Sequence, residues 1–175
     1  MATVVACQAH TAASSTEAGA ALPKLKLESA AFKQGEPIPN KYTCSAEDLS
    51  PPLSWSGVPA AAKSLALICD DPDAPRGTWV HWVLYNLDPE TTSLPEGVAK
   101  EASGPASSRQ GTSDFKRVGY GGPCPPPGKP HRYFFKLYAV DRILGLDDGA
   151  TKAEVMKAIE GHVVARGELM GTFAR

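Results

Sequence analysis

The 175-residue chain carries 18 Lys and Arg against 19 Asp and Glu, and 42% of its residues are hydrophobic. This composition predicts one soluble globular domain, and a net charge of −1 provides no basic surface for wrapping nucleic acid. No apolar run approaches the roughly 18 to 20 residues that a membrane-spanning helix needs. Sixteen Gly and sixteen Pro favour a turn-rich β architecture over a helical bundle.

The first 21 residues contain no Lys or Arg and only one short apolar run, Thr3–Cys7. A secretory signal needs a basic start and a longer apolar stretch. We therefore expect a disordered N-terminal extension over 1–21, a single domain over 22–175 and a cytoplasmic location, with organelle targeting left open.

The four cysteines, Cys7, Cys44, Cys69 and Cys124, have no spacing typical of a metal site. Cys69 lies inside an apolar run and is expected in the core. Cys44 and Cys124 both fall in turn-rich segments, so a disulfide between them is conceivable. Without a secretion signal, free thiols in a reducing compartment are the favoured interpretation.

Alternation of polar and apolar residues predicts several strands. The expected strands are Lys24–Glu28, Leu53–Trp55, Ser64–Asp70, Trp79–Leu87, His131–Asp141 and a short final strand, Gly167–Phe173. In the fourth, strict alternation puts Trp79, His81, Val83, Tyr85 and Leu87 on one face, and because both faces are apolar we expect a central strand. In the fifth, His131, Tyr133, Phe135 and Leu137 share a face. The long stretch 88–130 is either functional or hides short strands.

One helix is predicted to start at Thr151, where Thr151 and Glu154 form a capping box. Apolar residues then recur at helical spacing, and Gly149 and Gly167 bracket the element. Many short strands with one late helix indicate a mainly β, two-sheet antiparallel sandwich with a C-terminal helix.

Two proline-rich turns each stand beside a histidine at the mouth of a strand. The first runs from Asp71 to His81 and contains Asp73; the second runs from Gly121 to His131. A lone carboxylate in such a turn usually only caps it, and a lone histidine is usually a satisfied core residue. Two such turns, each with nearby aromatic residues, favour a shared polar pocket.

In the pocket hypothesis, Asp71 accepts a hydrogen bond from His81 and favours its charged form. Two imidazolium edges, together with the backbone N–H groups of Gly121 and Gly122, would then bind a phosphate or carboxylate. The alternative chemistry is a zinc or iron site built from Asp71, His81 and His131. His10 and His162 are weaker candidates, and nothing in the spacing is diagnostic of a metal.

The stretch Gly122–Lys129 is not a P-loop, because four of its intervening residues are prolines that lack the required N–H donors. The chain also has no G-x-S-x-G elbow and no H-E-x-x-H motif. No motif therefore supplies an activated nucleophile.

Several motifs occur in the order found in one known family: Asn40–Cys44, Asp48–Trp55, Asp70–Pro75, Trp79–Trp82, Gly119–Pro126, His131–Tyr133 and Ala165–Gly171. With them the chain resembles the phosphatidylethanolamine-binding proteins, and in particular the bacterial-type, Raf-kinase-inhibitor-like branch, from about Leu25 to Phe173. The family often has Asn-x-Phe-Gly before the Gly-Tyr-Gly-Gly loop; here Ser113–Lys116 stands instead, which predicts a more charged outer rim.

The resemblance implies a small pocket for phosphate-like anions or phospholipid headgroups. Its expected lining is Asp71, Asp73, Pro75, Trp79, His81, Gly121, Gly122, Pro123, Pro126, His131 and Tyr133, with Asp48, Ser50 and Cys124 on the rim.

The leading hypothesis is a non-enzymatic binding protein without cofactor or metal that regulates a kinase or protease. The second hypothesis is a hydrolase that uses the Asp/His cluster, with or without a bound metal. The third hypothesis is a scaffold whose pocket is vestigial. The physiological ligand, the protein partner and the oligomeric state, a homodimer included, stay open.

Deletion of residues 1–21 is expected to leave the free energy of unfolding unchanged within about 1 kcal/mol, because the segment lacks large apolar residues at regular spacing. Thermal melting of the full and shortened chains measures the difference. A larger loss would show that the extension packs on the domain.

Overall fold

The computed structural model describes residues 21–175, and the extension predicted over 1–21 lies outside this range except for Ala21. Two antiparallel sheets form a sandwich: a three-stranded sheet of order β1-β2-β5 and a five-stranded sheet of order β6-β4-β3-β7-β8. The strands are β1 (Lys26–Glu28), β2 (Leu53–Ser56), β3 (Ser64–Asp71), β4 (Trp79–Leu87), β5 (Ser93–Leu94), β6 (Arg109–Gln110), β7 (His131–Val140) and β8 (Val163–Phe173), with the helix α1 at Lys152–Ile159. The predicted mainly β fold with a C-terminal helix is confirmed.

Strand β3 is the centre of the large sheet. All eight of its residues are buried, and it pairs with β4 on one side and β7 on the other. Leu67 faces the small sheet, whereas Ile68 faces α1. The expectation that Trp79–Leu87 is central is only approximately right, since beyond β4 lies just the two-residue strand β6. Segment 88–130 does hide two short strands, β5 and β6.

Two apolar layers flank the large sheet. The layer between the sheets includes Leu27, Leu53, Trp55, Leu67, Trp82, Leu84, Phe135 and Leu169. The layer under α1 includes Ala66, Ile68, Val80, Val83, Tyr85, Val155 and Ile159. Burying a large apolar side chain contributes about 1.5–3 kcal/mol relative to exposing it, so these two layers fix how the strands that carry the site are placed.

Strand β4 does not alternate strictly, which corrects the predicted face of His81. Its register against β3 shifts between the pairs Asp70–Val80 and Cys69–Trp82. Val80 and Val83 both lie under α1, while Trp82 points between the sheets. His81 contacts the ring of Tyr133 and so does not share a face with Val83. A bulge of this kind redirects a side chain within an otherwise regular strand.

Strand β7 keeps the predicted alternation. Tyr133, Phe135 and Leu137 are buried between the sheets, while Tyr138 packs on the layer under the helix. His131 therefore begins a regular strand, with Phe173 of β8 as its register partner.

The helix starts as predicted but ends earlier. Thr151 is the N-cap, and the reciprocal bonds of the capping box with Glu154 are present. The helix ends at Ile159, Gly161 follows with φ +75°, and β8 begins at Val163 rather than at Gly167. Gly161 therefore brackets α1 in place of Gly167. Among the described residues, no helix is long and apolar enough to span a membrane.

We expect Thr151→Ala to lower the free energy of unfolding by about 1 kcal/mol, because the N-cap hydroxyl accepts a hydrogen bond from the backbone N–H of Glu154. Thr151→Ser keeps that hydroxyl and serves as the control. Urea unfolding measures both, and equal stability of the Ala variant and the wild type would contradict the role of the cap.

Candidate anion-binding site

The turn between β3 and β4, residues 72–78, is held by two carboxylates. Asp71 Oδ1 accepts a hydrogen bond from the Asp73 backbone N–H at 2.8 Å, and Asp71 Oδ2 lies 2.7 Å from His131 Nδ1. Asp73 reaches across to β7, where it accepts bonds from the Arg132 backbone N–H and guanidinium. These bonds hold the pKa of Asp73 at about 2. Both carboxylates therefore lock the turn onto the first residues of β7.

His81 is buried, and its orientation is set by a backbone carbonyl. Its Nδ1 lies 2.6 Å from the oxygen of Gly121, and because a carbonyl oxygen only accepts, Nδ1 carries the proton. Burial lowers the pKa of His81 below its usual range. The predicted bond from Asp71 to His81 is wrong, since Asp71 bonds to His131 instead. Nε2 of His81 makes no hydrogen bond within residues 21–175.

Aromatic rings enclose the imidazole of His81. Tyr133 and Phe115 meet it edge-on, with centroid distances of 5.1 and 5.3 Å, and Trp79 meets Phe115 at 5.5 Å. Trp79 is 36% exposed and stands at the solvent side of the group. Phe115 was predicted only as part of the rim segment Ser113–Lys116. Its contact with His81 was not predicted, because it depends on how the loop folds back.

The hydroxyl of Tyr133 is the one buried side-chain polar atom without a hydrogen-bond partner in the part of the chain that the structure describes. Burial, followed by the charge of Asp71 and a weaker interaction with that carboxylate, raises the pKa of Tyr133, so the group stays a phenol and can donate; none of its contacts with the described residues meets hydrogen-bond geometry. Buried polar groups nearly always have a partner, and an orphaned one commonly faces a water or ligand. Tyr133 therefore marks the polar floor of the site.

The loop of residues 121–126, hereafter the Gly121 loop, forms one rim, but not in the predicted manner. The Gly121 N–H donates to the carbonyl of His81 at 2.9 Å, and the Gly122 N–H donates to Asp48 Oδ1 at 2.6 Å. Neither N–H is left over for an anion, which corrects the expected donor role. A Cβ at Gly121 would lie 2.5 Å from the Phe115 ring, so glycine allows the close approach.

Asp48 and Ser50 have different roles at this rim. The second oxygen of Asp48 binds Lys100 at 2.7 Å and Arg117 at 3.0 Å. Ser50 is buried, and its hydroxyl accepts from the Val98 N–H, which makes it a support for the loop around Val98. Two cations share one carboxylate here, so this group of three side chains carries one net positive charge.

Cys44 and Cys124 form a disulfide, with Cα atoms 5.4 Å apart. The favoured expectation of free thiols is wrong for this pair, because folding brings two segments 80 residues apart into contact. Pro123 is buried beside the bond, and its carbonyl accepts from the Cys44 N–H, whereas Pro126 and Pro75 are exposed. Cys69 is a buried free thiol, as predicted, and Cys7 lies outside the described residues.

The segment Ser113–Lys116, which departs from the family pattern, positions Phe115. The carboxylate of Asp114 accepts a hydrogen bond from the Val80 backbone N–H at 2.7 Å. The Lys116 N–H donates to the Ser113 carbonyl, and Lys116 has φ +59°, a conformation that favours glycine. Lysine thus adopts a left-handed conformation at the position where the resemblance leads one to expect glycine.

The alternative metal site does not assemble. No group of three His, Cys, Asp or Glu side chains suited to a metal occurs in residues 21–175. His162 is bonded to Asp141, and His10 lies outside this range. A cleft of about 540 Å³, lined by residues such as Lys24 and Arg166, lies away from the two histidines.

Residues 28–174 match the family model described as phosphatidylethanolamine-binding protein. A UPF0098 protein from Methanothermobacter thermautotrophicus is 52% identical over 86% of this chain and 99% of its own length. A second UPF0098 protein, from Pyrococcus horikoshii, is 48% identical over 87% of this chain and 78% of its own length.

Two solved structures superpose closely. A putative phosphatidylethanolamine-binding protein homologue from Chlamydia trachomatis has a TM-score of 0.80 and 43% identity, covering 87% of this chain and 98% of its own. YbcL from E. coli, described as a new member of the mammalian family, has a TM-score of 0.79 and 32% identity. The match covers 87% of this chain and 99% of YbcL. The chain therefore belongs to the phosphatidylethanolamine-binding protein family, in its bacterial and archaeal branch.

Proposed function

We propose that this protein is a non-enzymatic binding protein that takes a phosphate-like anion, free or as a phospholipid headgroup, between His81, His131 and Tyr133. The observation that carries the proposal is the buried Tyr133 hydroxyl without a partner, beside an imidazole whose Nε2 makes no bond. Family membership supports a binding role. We extend the proposal to regulation of a kinase or protease through a phosphorylated or anionic group.

The proposed donors come from three side chains on two strands. Tyr133 contributes a phenol that burial keeps protonated. His81 and His131 each use Nδ1 within the protein, which leaves Nε2 of both rings for a ligand. Hydrogen bonds to a charged group contribute about 1.5–3 kcal/mol each, so two or three of them give a selective small-anion site.

Each oxygen of Asp71 accepts a hydrogen bond from within the protein, from His131 or from the Asp73 N–H, which offsets part of its negative charge. The hydrolase alternative uses the Asp/His cluster as acid and base; Asp71 is hydrogen-bonded to His131 and not to His81, so that chemistry would have to use the Asp71–His131 pair. The geometry therefore favours binding over acid–base chemistry at His81.

Binding of an anion at His81 should be coupled to proton uptake. Burial lowers the pKa of free His81, so near neutral pH its Nε2 is an acceptor. A bound anion stabilises the protonated ring and raises that pKa. Affinity should therefore increase as pH falls from 8 towards 5, and level off below the lowered pKa of the free protein.

Sulfate is the suitable probe because its charge stays constant over this pH range, unlike that of phosphate. NMR titration with sulfate should shift the His81 and His131 imidazole signals and show this pH dependence. An affinity independent of pH would contradict proton uptake, and unmoved imidazole signals would overturn the site.

We expect His81→Asn and His131→Asn to weaken sulfate binding about 10- to 150-fold, the equivalent of 1.5–3 kcal/mol. Asparagine keeps a donor near Nδ1, for Gly121 or Asp71, but lacks a counterpart of Nε2. His162→Asn, at the remote pair with Asp141, is the matched control. Wild-type affinity in both site variants would exclude the proposed donors.

Tyr133→Phe should separate binding from stability. It removes an unsatisfied buried hydroxyl, so the free energy of unfolding should stay equal or rise. Sulfate affinity should fall about 2- to 12-fold, the equivalent of a neutral hydrogen bond of 0.5–1.5 kcal/mol. A loss of stability without a loss of affinity would show that the hydroxyl is structural.

A further inference from the structure

The Cys44–Cys124 disulfide joins the two segments that form the rim beside Asp48. Cys44 follows the short 3-10 helix Asn40–Tyr42, and Cys124 lies three residues beyond Gly121. Both cysteine residues are exposed at the surface of the protein. A soluble dithiol can therefore reach the bond without unfolding of the core.

The segment Pro123–Pro127 makes few hydrogen bonds to the rest of the domain, although Pro123 and Pro125 are buried. Four of its five residues are prolines, so Cys124 has the only backbone N–H, and that group donates to no acceptor within residues 21–175. The remaining bonds are accepted by carbonyls: Pro123 from the Cys44 N–H at 3.1 Å and Pro125 from Arg175 at 2.8 Å. The disulfide therefore adds a covalent link to a segment that has few hydrogen-bond donors.

The Gly121 loop, which contains Cys124, also holds the groups that orient the proposed site. The Gly121 carbonyl accepts the Nδ1 proton of His81, and the Gly122 N–H binds Asp48, four residues after Cys44. Displacement of the loop would move the acceptor that fixes the His81 tautomer. It would also disturb Phe115, against which Gly121 is closely packed.

We propose that the Cys44–Cys124 bond is a redox control of anion binding, which rests on the function proposed above. In the oxidised protein the loop is clamped and His81 presents Nε2 in a fixed direction. A dithiol reductant donates two electrons and two protons: its thiolate attacks one exposed sulfur, both cysteines become thiols, and the reductant closes to its own disulfide. The released loop must then be ordered on binding, which lowers affinity.

The test compares the full chain with and without dithiothreitol, which is uncharged and does not compete for an anion site. Alkylation followed by mass spectrometry first establishes that Cys44 and Cys124 react only after reduction. Sulfate titration by NMR then follows the His81 and His131 imidazole signals. We expect about tenfold weaker binding after reduction.

The double variant Cys44→Ser/Cys124→Ser should bind as weakly as the reduced wild type and ignore dithiothreitol. Cys7→Ser keeps the clamp and is the matched control, with wild-type affinity and wild-type response. Together the two variants separate loss of the bond from other effects of the reductant.

Equal affinity of the oxidised and reduced wild type would overturn the redox control and leave the anion site intact. Binding in neither form would overturn the proposed function and the control with it. Alkylation of Cys44 and Cys124 without reductant also overturns the control. Collapse of the dispersed NMR spectrum on reduction would show a stabilising cross-link and no switch.

Discussion

The hydrogen bond from His81 Nδ1 to the carbonyl of Gly121 is the interaction on which the site depends. It joins a bulged strand of the sheet to the Gly121 loop, in which three of the six residues are prolines without a backbone donor. Because the acceptor is a carbonyl, it fixes the tautomer, and burial keeps the ring neutral in the free protein. This bond thus determines which nitrogen can meet a ligand, while burial determines the protonation state of the ring in the free protein.

The fold was largely predictable because regular periodicity governs most of it. The alternation in β7 and the capping box at Thr151 rest on local rules, and both are confirmed. The face of His81 was not predictable, because strict alternation assumes an unbroken pleat and β4 contains a bulge. A bulge is decided by how two strands pair, which one strand's sequence does not reveal.

The proximity of the proposed site residues was easier to predict from the sequence than their hydrogen-bond partners. Asp71, His81, His131 and Tyr133 do lie together, but Asp71 bonds to His131. The carboxylate lies on the turn, and only the packing of β7 beside β3 determines which histidine it reaches. The disulfide was misjudged for the same reason, since its partners are distant in sequence and meet only in the fold.

The proposed anion site contains three carboxylates, and their hydrogen bonds explain how such a site would tolerate them. Asp71 faces His131, Asp73 faces Arg132, and Asp48 faces both Lys100 and Arg117. Each carboxylate therefore has at least one basic partner, and its oxygens accept bonds from within the protein. Arg132 neutralises Asp73, Lys100 and Arg117 offset Asp48, and His131 offsets Asp71 when its ring is protonated, so the carboxylates orient the donors with reduced repulsion for a ligand.

The floor and the rim of the site differ in rigidity for a physical reason. The floor side chains belong to β4 and β7, which flank a fully buried β3. On the opposite face of β3, buried Asp70 binds Lys136 and Lys152, which fastens α1 to the sheet immediately behind Asp71. The Gly121 loop is partly buried but lies outside the two sheets, and a few hydrogen bonds and the disulfide hold it. Ligand chemistry should therefore be set by strands that cannot move far, and any control over binding should act through the loop, where few bonds have to break.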